Sequence, residues 1–413
     1  MTRLLFLSRW YPDPPNNGSK LRIFHLLRGL AQRHEITLLS YFDPRETSSP
    51  DGRLLDLCAR VVAIPWTPYD ATSLRARLGT FSPRPRFVVD TNSARTSATI
   101  TRLLAAERYD AVIASQIDMA MYAAAFGAVP ALFEEAEVGT LYEQFAHASS
   151  PLSRLRYRFT WLKHRRFLQR LLHDFEACTV VSEQEQRLLA KVAPDYRKVN
   201  VIPNCVDLKA YDGVYAERLE NELVFAGSLT YDANYEAMTW FLQHIFPRIQ
   251  AQVPSVHLTI TGDHGDRPLP TARGVTLTGF VEDVRPVVAA ASVSLAPILT
   301  GGGTRLKILE AMALGTPVVS TGKGAEGLAV KDGVHLMLAD DPAEFANAVV
   351  HLLNGPQASQ ALAADARRLV GERYNWQSVM PRFLDLLDAV IERGNLTSLD
   401  RRPFNNTRAK QVA

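Results

Sequence analysis

The stretch GGGTRLKILEAMALGTPVVST, residues 301–321, places three glycines and two basic side chains ahead of a helical pattern and a short apolar run. Successive glycines allow backbone N–H groups to converge on one ligand, and the N-terminus of the following helix adds partial positive charge. Arg305 and Lys307 can contact phosphate oxygens. Glu310 lies more than a helical turn further on, where a carboxylate suits the vicinal hydroxyls of a ribose. The stretch therefore indicates a site for a nucleoside diphosphate.

An alternative interpretation of this stretch stays open. A glycine-rich loop can simply precede a helix, with the basic side chains solvated and with Glu310 aiding the helix dipole. In that case the stretch binds no nucleotide.

The rest of the chain alternates short apolar runs with segments of helical period. The apolar runs predict strands at 4–8, 61–65, 111–115, 130–135 and 178–182, and the same order restarts with strands at 222–227 and 257–262. Such alternation predicts α/β architecture, with two doubly wound parallel sheets and a cleft between them. Ligands of such sheets bind beyond the carboxyl ends of the strands, where Gly18, Gly227 and Gly262 are expected.

The same pattern divides the chain into predicted domains at residues 1–200 and 201–374. An amphipathic helix at about 375–394 follows when the second domain is already complete, so we expect it to cross back and complete the first. Residues 395–413 are polar, with few large apolar side chains, and predict a tail.

Composition and charge limit the functions open to the chain. Its 413 residues include 46 Lys plus Arg and 43 Asp plus Glu, and the net charge of +3 predicts no nucleic-acid partner. Cys58, Cys178 and Cys205 are too far apart for a zinc pattern and suit a reducing compartment. The apolar run before Ser8 is too short for the core of a signal peptide, and no apolar stretch is long enough to cross a bilayer. A cytoplasmic protein is expected.

The end of the opening stretch resembles a known signature. EAMALGTPVV, residues 310–319, is similar to the donor-binding motif of GT-B glycosyltransferases of family 4, also called group 1. Further segments resemble the same family in the order it requires: PDPPNNGSKLRIFHLLRGLA at 12–31, VIPNCVD at 201–207 and FAGSLTYDANYEAMTWFLQHIFP at 225–247. The resemblance covers nearly the whole chain and implies a GT-B fold, with two Rossmann-like domains facing a cleft.

The chain departs from the family at one position of that motif. Family members carry a first glutamate eight residues before the one matched by Glu310, and Gly302 occupies this position here. We therefore place the chain in a subgroup that has this glycine. Contacts with the transferred sugar are then expected from backbone amides between Gly301 and Thr304.

The resemblance also implies which residues form the site. Donor-binding residues are expected on both sides of the cleft: Gly18, Gly227, Gly262, Gly302, Gly303, Thr304, Arg305, Lys307 and Glu310. Arg305 and Lys307 are predicted to act in catalysis as well, since they face the leaving diphosphate. On the acceptor side, FEEAEVG at 133–139 follows a predicted strand and carries Glu134, Glu135 and Glu137. Of these, Glu135 is predicted to orient the acceptor hydroxyl or to accept its proton.

The implied reaction moves a sugar from a UDP- or GDP-sugar to a hydroxyl of a sugar, lipid-linked or small-molecule acceptor, with retention at the anomeric carbon. Cell-surface polysaccharide or glycolipid assembly is the expected setting. Neither a metal nor another cofactor is expected, because enzymes of this fold generally work without a bound metal. Two alternatives stay open: a catalytically inactive protein that binds nucleotide sugars, which Gly302 favours, and a nucleotide-sugar epimerase of the same fold.

The segment PLSRLRYRFTWLKHRRFLQRLLH, residues 151–173, contains seven Arg or Lys and no acidic residue. Apolar side chains, among them Leu155, Phe159, Leu162 and Leu171, lie along one side of a predicted helix. Such a helix could lie on an anionic membrane, where a lipid-linked acceptor would be met. It could equally pack its apolar side on the protein core, with its arginines solvated. The sequence does not decide between these alternatives.

Overall fold

A computed structural model of the chain describes residues 2–43, 52–139, 151–265, 267–270, 272–301 and 305–400. These residues form two parallel sheets flanked by helices, which confirms the predicted fold class. None of the helices in these ranges is long and apolar enough to cross a bilayer.

The first sheet contains seven parallel strands in the order β3-β2-β1-β4-β5-β6-β7. The strands are β1 Thr2–Ser8, β2 His34–Phe42, β3 Arg60–Pro65, β4 Ala111–Ser115, β5 Ala131–Glu134, β6 Ala177–Val180 and β7 Val199–Val201. Alternate residues of β1 face two separate cores, with Leu5 and Leu7 in one buried cluster and Leu4 and Phe6 in the other. The strand is therefore apolar on both faces, as expected for the centre of a covered parallel sheet.

Helices connect the strands of this sheet. They are α1 Gly18–Leu30, α2 Leu74–Leu78, α3 Arg86–Thr91, α4 Ala94–Ala106, α5 Gln116–Ala120, α6 Pro151–Leu172 and α7 Glu183–Val192. Short polar side chains set where several of them begin. The side chain of Asn17 accepts a hydrogen bond from the backbone N–H of Lys20, and that of Ser182 from the backbone N–H of Glu185, so both cap the first turn of a helix.

The second sheet contains six parallel strands in the order β10-β9-β8-β11-β12-β13. The strands are β8 Glu222–Ala226, β9 His257–Thr261, β10 Val275–Gly279, β11 Val293–Ala296, β12 Val318–Ser320 and β13 Met337–Leu338. The helices are α8 Asp232–Trp240, α9 Phe246–Gln252, α10 Arg285–Ala290, α11 Leu306–Ala313, α12 Pro342–Asn354, α13 Pro356–Arg373 and α14 Trp376–Asp400.

A π-helical turn, Phe241–Ile245, joins α8 to α9. Pro247 lies just after this turn. A proline has no N–H to donate, and its ring crowds the carbonyl group four residues earlier, so a wider turn relieves the clash.

The last helix, α14, returns to the first sheet. Its residues Val379, Phe383 and Leu387 are buried in the same cluster as Leu26 and Leu27 of α1. The helix continues to Asp400, past the predicted end at about residue 394. The predicted domain boundaries at residues 200 and 374 stay predictions.

In each sheet the winding reverses between two neighbouring strands, β1 and β4 in the first sheet and β8 and β11 in the second. Doubly wound sheets bind their ligands beyond the carboxyl ends of the strands at such a reversal. The loops that follow these four strands are thus where the fold itself favours a site.

Candidate functional site

The N-termini of two helices from different sheets meet at the predicted site. A Cβ atom added to Gly18, the first residue of α1, would lie 3.1 Å from Cδ1 of Leu306, the first residue of α11. The start of α1 is held by Asn17, whose Oδ1 accepts from the backbone N–H of Lys20 at 3.0 Å. Because helix N-termini carry partial positive charge, this meeting point favours an anion.

Lys307 lies one residue into α11 and is partly buried. Its Nζ donates to Oδ1 of Asn234 at 2.9 Å and lies 4.0 Å from the centre of the Phe225 ring. Burial lowers the pKa of Lys307 from its ordinary 10.5 to about 7; nearby Arg305 lowers it further, and Glu310 partly opposes the shift. The protein alone therefore stabilises the ammonium group poorly, and a bound anion would favour its charged form.

Two glycines make room for this lysine. Gly227 has a φ of +150°, and a Cβ atom there would lie 2.8 Å from Nζ of Lys307 and 2.9 Å from Nδ2 of Asn234. Gly262 has a φ of +106°, and its Cβ would lie 2.6 Å from the carbonyl carbon of Gly227. The loops after β8 and β9 thus pack backbone against backbone, and a side chain at either glycine would disturb the lysine.

Arg305 precedes α11 and is held by the loop before it. Its Nη2 donates to the carbonyl oxygens of Thr300 and Gly301, at 3.1 Å and 2.6 Å. Its Nε is buried and has no hydrogen-bond partner in the part of the chain that the structure describes, so one donor is left for a ligand. The predicted contacts Gly302, Gly303 and Thr304 lie outside the described residues, and their roles stay predictions.

Glu310 lies on α11 one turn beyond Lys307. One of its oxygens accepts from the hydroxyl group of Tyr211 at 3.2 Å. Burial raises the pKa of Glu310, and the hydrogen bond from Tyr211 and the charge of Lys307 oppose this. Sequence reasoning missed Tyr211, because it follows a short 3₁₀ turn, Leu208–Ala210, with no local signal of function. The predicted role of Glu310 at a ribose stays a prediction.

On the first sheet, Glu135 follows the end of β5 with a φ of 56°. Its Oε2 accepts from Nε2 of Gln116 at 2.9 Å, and Oε1 of that glutamine accepts from the indole N–H of Trp10 at 3.2 Å. Burial raises the pKa of Glu135 to about 7, against the opposing charge of Arg22. A carboxyl group that titrates near neutral pH is suited to accepting a proton.

Gln116 has a φ of 63°, so two non-glycine residues at the ends of adjacent strands are in the left-handed region and hydrogen-bond each other. Backbone strain of this kind is concentrated at functional sites. Sequence reasoning did not identify Gln116 or Trp10, and spacing along the chain carries no signal for either.

The neighbouring Glu134 has a structural role instead. Its Oε1 accepts from Nε of Arg22 at 2.6 Å, and its Oε2 accepts from the hydroxyl group of Ser115 at the same distance. Both members of the ion pair are buried, and Arg22 also donates to the carbonyl oxygen of Pro203 at 3.1 Å. This pair fixes α1 against β5 and the segment after β7. Glu137 is exposed.

The structure therefore brings together most of the predicted donor residues that it describes. Gly227, Gly262, Arg305 and Lys307 lie at one edge of the second sheet, and Gly18 reaches them from the first. Glu135 lies at the carboxyl edge of the first sheet, beside Gln116. Over the described ranges, no group of three or more His, Cys, Asp or Glu side chains is placed to hold a metal ion.

Two family models match the chain in the order of its two sheets. The model described as Glycosyltransferase Family 4 matches residues 16–210, and the model described as Glycosyl transferases group 1 matches residues 220–355. Between them they cover the site residues on both sheets.

Curated relatives are similar at low identity. An uncharacterized 44.6 kDa protein in the cps region of Klebsiella pneumoniae is 24% identical over 168 residues, 38% of this chain and 43% of that protein. A phosphatidyl-myo-inositol mannosyltransferase of Mycobacterium leprae is 29% identical over 187 residues, 43% of this chain and 49% of that protein. The chain spans about half the length of the curated relatives it matches.

Solved structures share the fold over nearly the full chain. Anabaena Alr3699/HepE in complex with UDP and glucose has a TM-score of 0.60 at 16% identity and covers 94% of this chain and 100% of its own. Sucrose-phosphate synthase from Thermosynechococcus elongatus has a TM-score of 0.67 at 18% identity and covers 95% of this chain and 100% of its own. With both halves matched by family models and the fold shared throughout, the chain belongs to the group 1, family 4 glycosyltransferases and has the GT-B fold.

Proposed function

We propose that this chain is a retaining glycosyltransferase that moves a sugar from a UDP- or GDP-sugar to an acceptor hydroxyl. The observation that carries the proposal is the partly buried ammonium group of Lys307 next to the meeting N-termini of α1 and α11. Within the described ranges, no carboxylate forms an ion pair with this lysine, whose hydrogen-bond partner is the neutral side chain of Asn234. A diphosphate supplies the missing negative charge.

The proposed chemistry depends on stabilising the leaving diphosphate. When the bond between the anomeric carbon and the phosphate oxygen breaks, its electron pair stays on that oxygen. Lys307, the unpaired Nε–H of Arg305 and the two helix N-termini together create positive potential at this point, which stabilises the negative charge on that oxygen. Glu310 binds the ribose hydroxyls of the same nucleotide.

On the acceptor side, Glu135 accepts the proton of the attacking hydroxyl. Its pKa of about 7 leaves a substantial ionised fraction at neutral pH while keeping the carboxylate basic enough to take a proton. Gln116 holds the carboxylate from one side, through the hydrogen bond at 2.9 Å. The new bond forms between the acceptor oxygen and the anomeric carbon, on the face from which the diphosphate left.

The proposed acceptor belongs to cell-surface polysaccharide or glycolipid assembly. Support for this setting comes from the relatives, of which one is in a cps region and another is a phosphatidyl-myo-inositol mannosyltransferase. The described residues support the donor part of the proposal. The proposed acceptor class is supported by the relatives alone.

A thermal-shift panel of UDP-, GDP- and dTDP-sugars tests the donor site. A ligand at about one hundred times its Kd stabilises a protein by roughly 2.7 kcal/mol, which raises the melting temperature by several degrees. We expect one base to give such a shift in the wild type and not in Lys307→Gln, and Lys191→Gln, which changes an exposed lysine on α7, to respond as the wild type. If none of the three nucleotide classes shifts the melting temperature, the proposal fails.

Gly302, where the family has a glutamate, favours a second candidate: a protein that binds nucleotide sugars without transferring them. Isothermal titration combined with an assay for sugar release separates the two. Tight binding of UDP or GDP with no release of sugar to any acceptor or to water would establish the binder.

A further inference from the structure

Helix α6 is divided between the protein core and the surface. Leu168, Leu171 and Leu172 in its C-terminal half are buried in the core of the first sheet. In its N-terminal half, Leu155 and Phe159 are 54% and 58% exposed. Because a helix turns about 100° per residue, they lie on the side opposite to Leu168 and Leu171, and not on one apolar side with them as the sequence predicts. Each of the two alternatives drawn from the sequence therefore holds for one side of α6.

A second exposed apolar stripe lies on α2. Leu74 and Leu78 are one helical turn apart and are 73% and 59% exposed, and Phe81, just after the helix, is 89% exposed. Ala76, on the opposite side of α2, is buried. The helix thus turns its small residue toward the protein and its large apolar residues toward solvent, the reverse of the usual arrangement.

Lys163 joins α2 to α6. Its Nζ donates to the carbonyl oxygens of Gly79 and Thr80, at the end of α2. The next residue, His164, is buried beside the Phe87 ring of α3, with 6.0 Å between ring centres. Burial lowers the pKa of His164 to about 4, so it packs as a neutral ring. The end of α2 is therefore fixed against the middle of α6.

The two stripes lie on elements that Lys163 joins, and we call them together the docking surface: Leu74, Leu78, Phe81, Leu155, Phe159 and Leu162. Monomeric soluble proteins rarely expose so many large apolar side chains together, and such patches mark binding to a protein or a membrane. The docking surface could therefore fit either a protein partner or a membrane.

Charge decides between them. Residues 70–90, which contain α2, hold four arginines and two aspartates, Asp70 and Asp90, and residues 151–173 hold seven Arg or Lys and no acidic residue. Among the basic residues, Arg77, Arg84, Arg158 and Arg166 are exposed. Apolar side chains surrounded by an excess of positive charge complement an interface of acyl chains beneath anionic headgroups. A second copy of this chain would bring like charges together.

We propose that the docking surface binds the surface of an anionic lipid bilayer. Phe81 and Phe159 enter the boundary between headgroups and acyl chains, and the arginines contact the phosphates. The sequence alone suggests that 151–173 could lie on a membrane. In the present proposal the membrane-binding surface also includes α2 and Phe81, and it excludes the buried C-terminal half of α6.

Vesicle flotation tests the proposal with the full chain. We expect the protein to float with vesicles of phosphatidylcholine and phosphatidylglycerol, and not with vesicles of phosphatidylcholine alone. Replacing both phenylalanines, in Phe81→Ser/Phe159→Ser, should lower the partition coefficient at least about tenfold, because two large apolar side chains no longer enter the lipid. Arg77→Gln and Arg158→Gln should each lower it about fivefold, and higher salt should weaken binding.

Tyr215→Ser is the matched control, since Tyr215 is 92% exposed but lies outside the docking surface, and it should float as the wild type. Melting temperatures establish that every variant is folded. Equal binding to both vesicle types, no binding to either, or unchanged flotation of the folded double variant would overturn the proposal. A dimer in light scattering that the double variant loses would assign the surface to a second copy instead. Flotation needs no nucleotide, so its result is independent of the proposed reaction.

Discussion

On the proposed assignment of the diphosphate to Lys307, the charge of this lysine makes donor binding depend on pH. Its pKa of about 7, against an ordinary 10.5, corresponds to a penalty of roughly 5 kcal/mol on the charged form. Binding of a diphosphate favours that form and raises the pKa. The lysine is charged below its pKa. As the pH rises above about 7, the lysine of the ligand-free protein loses its proton. Binding of the diphosphate must then be accompanied by uptake of a proton, which weakens the observed affinity.

Each pH unit above the pKa of the ligand-free protein's lysine therefore weakens binding up to tenfold. From about pH 7 to about pH 9, the Kd of UDP should rise roughly twentyfold, because the uncharged site keeps weak binding. The terminal phosphate of UDP is already ionised in this range, since the second pKa of such a group is about 6, so the ligand contributes little to the change. Isothermal titration at several pH values measures the slope.

Lys307→Gln should lose this dependence. Its Kd at neutral pH should be weaker than that of the wild type by about 2 kcal/mol, or roughly thirtyfold, the contribution of a charged hydrogen bond. Its Kd should then stay constant between about pH 7 and about pH 9. A wild-type Kd that does not change with pH, or an equal slope in the variant, would refute the assignment of the diphosphate to this lysine.

Three further changes test the site and its support. Gly227→Ala should weaken nucleotide binding about tenfold, because the methyl group would approach the partly buried ammonium at 2.8 Å; titration measures it. Glu135→Gln should lower kcat at least about a hundredfold and remove the acidic limb of the pH profile, which the wild type should show near pH 7, while leaving the Kd of UDP unchanged. Glu134→Ala should destabilise the fold by about 3 to 5 kcal/mol in urea unfolding, since Arg22 would be left buried without its partner. An active Glu135→Gln enzyme or a fully stable Glu134→Ala protein would contradict these assignments.

The alternation of apolar runs was sufficient to predict the fold class, because buried parallel strands and amphipathic helices leave different periods in a sequence. The alternation could not predict the order of the strands within each sheet. Nothing in the run at 111–115 indicates that it lies beside β1, although this neighbour determines where the winding reverses.

The donor site could be predicted where its residues are close in sequence. Arg305, Lys307 and Glu310 lie on one helix and its preceding loop, so a helical pattern places them together. Their partners could not be predicted, because Asn234 is 73 residues from Lys307 and Tyr211 is 99 residues from Glu310. Such contacts exist only after β8 and β11 have become neighbours.

The sequence also could not predict that residues of the same type would have different roles. Glu134 and Glu135 are adjacent carboxylates, yet one is buried against Arg22 and the other turns away at a positive φ. In α6, Leu155 and Leu171 lie on opposite sides of the helix, and the sequence does not show which of these sides is exposed and which is buried. In both cases, whether a side chain is buried depends on which other element of the fold packs against it.

The meeting of α1 and α11 has a consequence for the end of the catalytic cycle. On the proposed mode of binding, the nucleoside diphosphate that remains after transfer keeps both of its phosphates, and so it keeps its contacts with Lys307 and with the two helix ends, which meet at Gly18 and Leu306. Only the contacts with the sugar are lost. We therefore expect dissociation of the spent nucleotide, rather than bond cleavage, to limit turnover, and free nucleotide to be a strong competitor of its own donor.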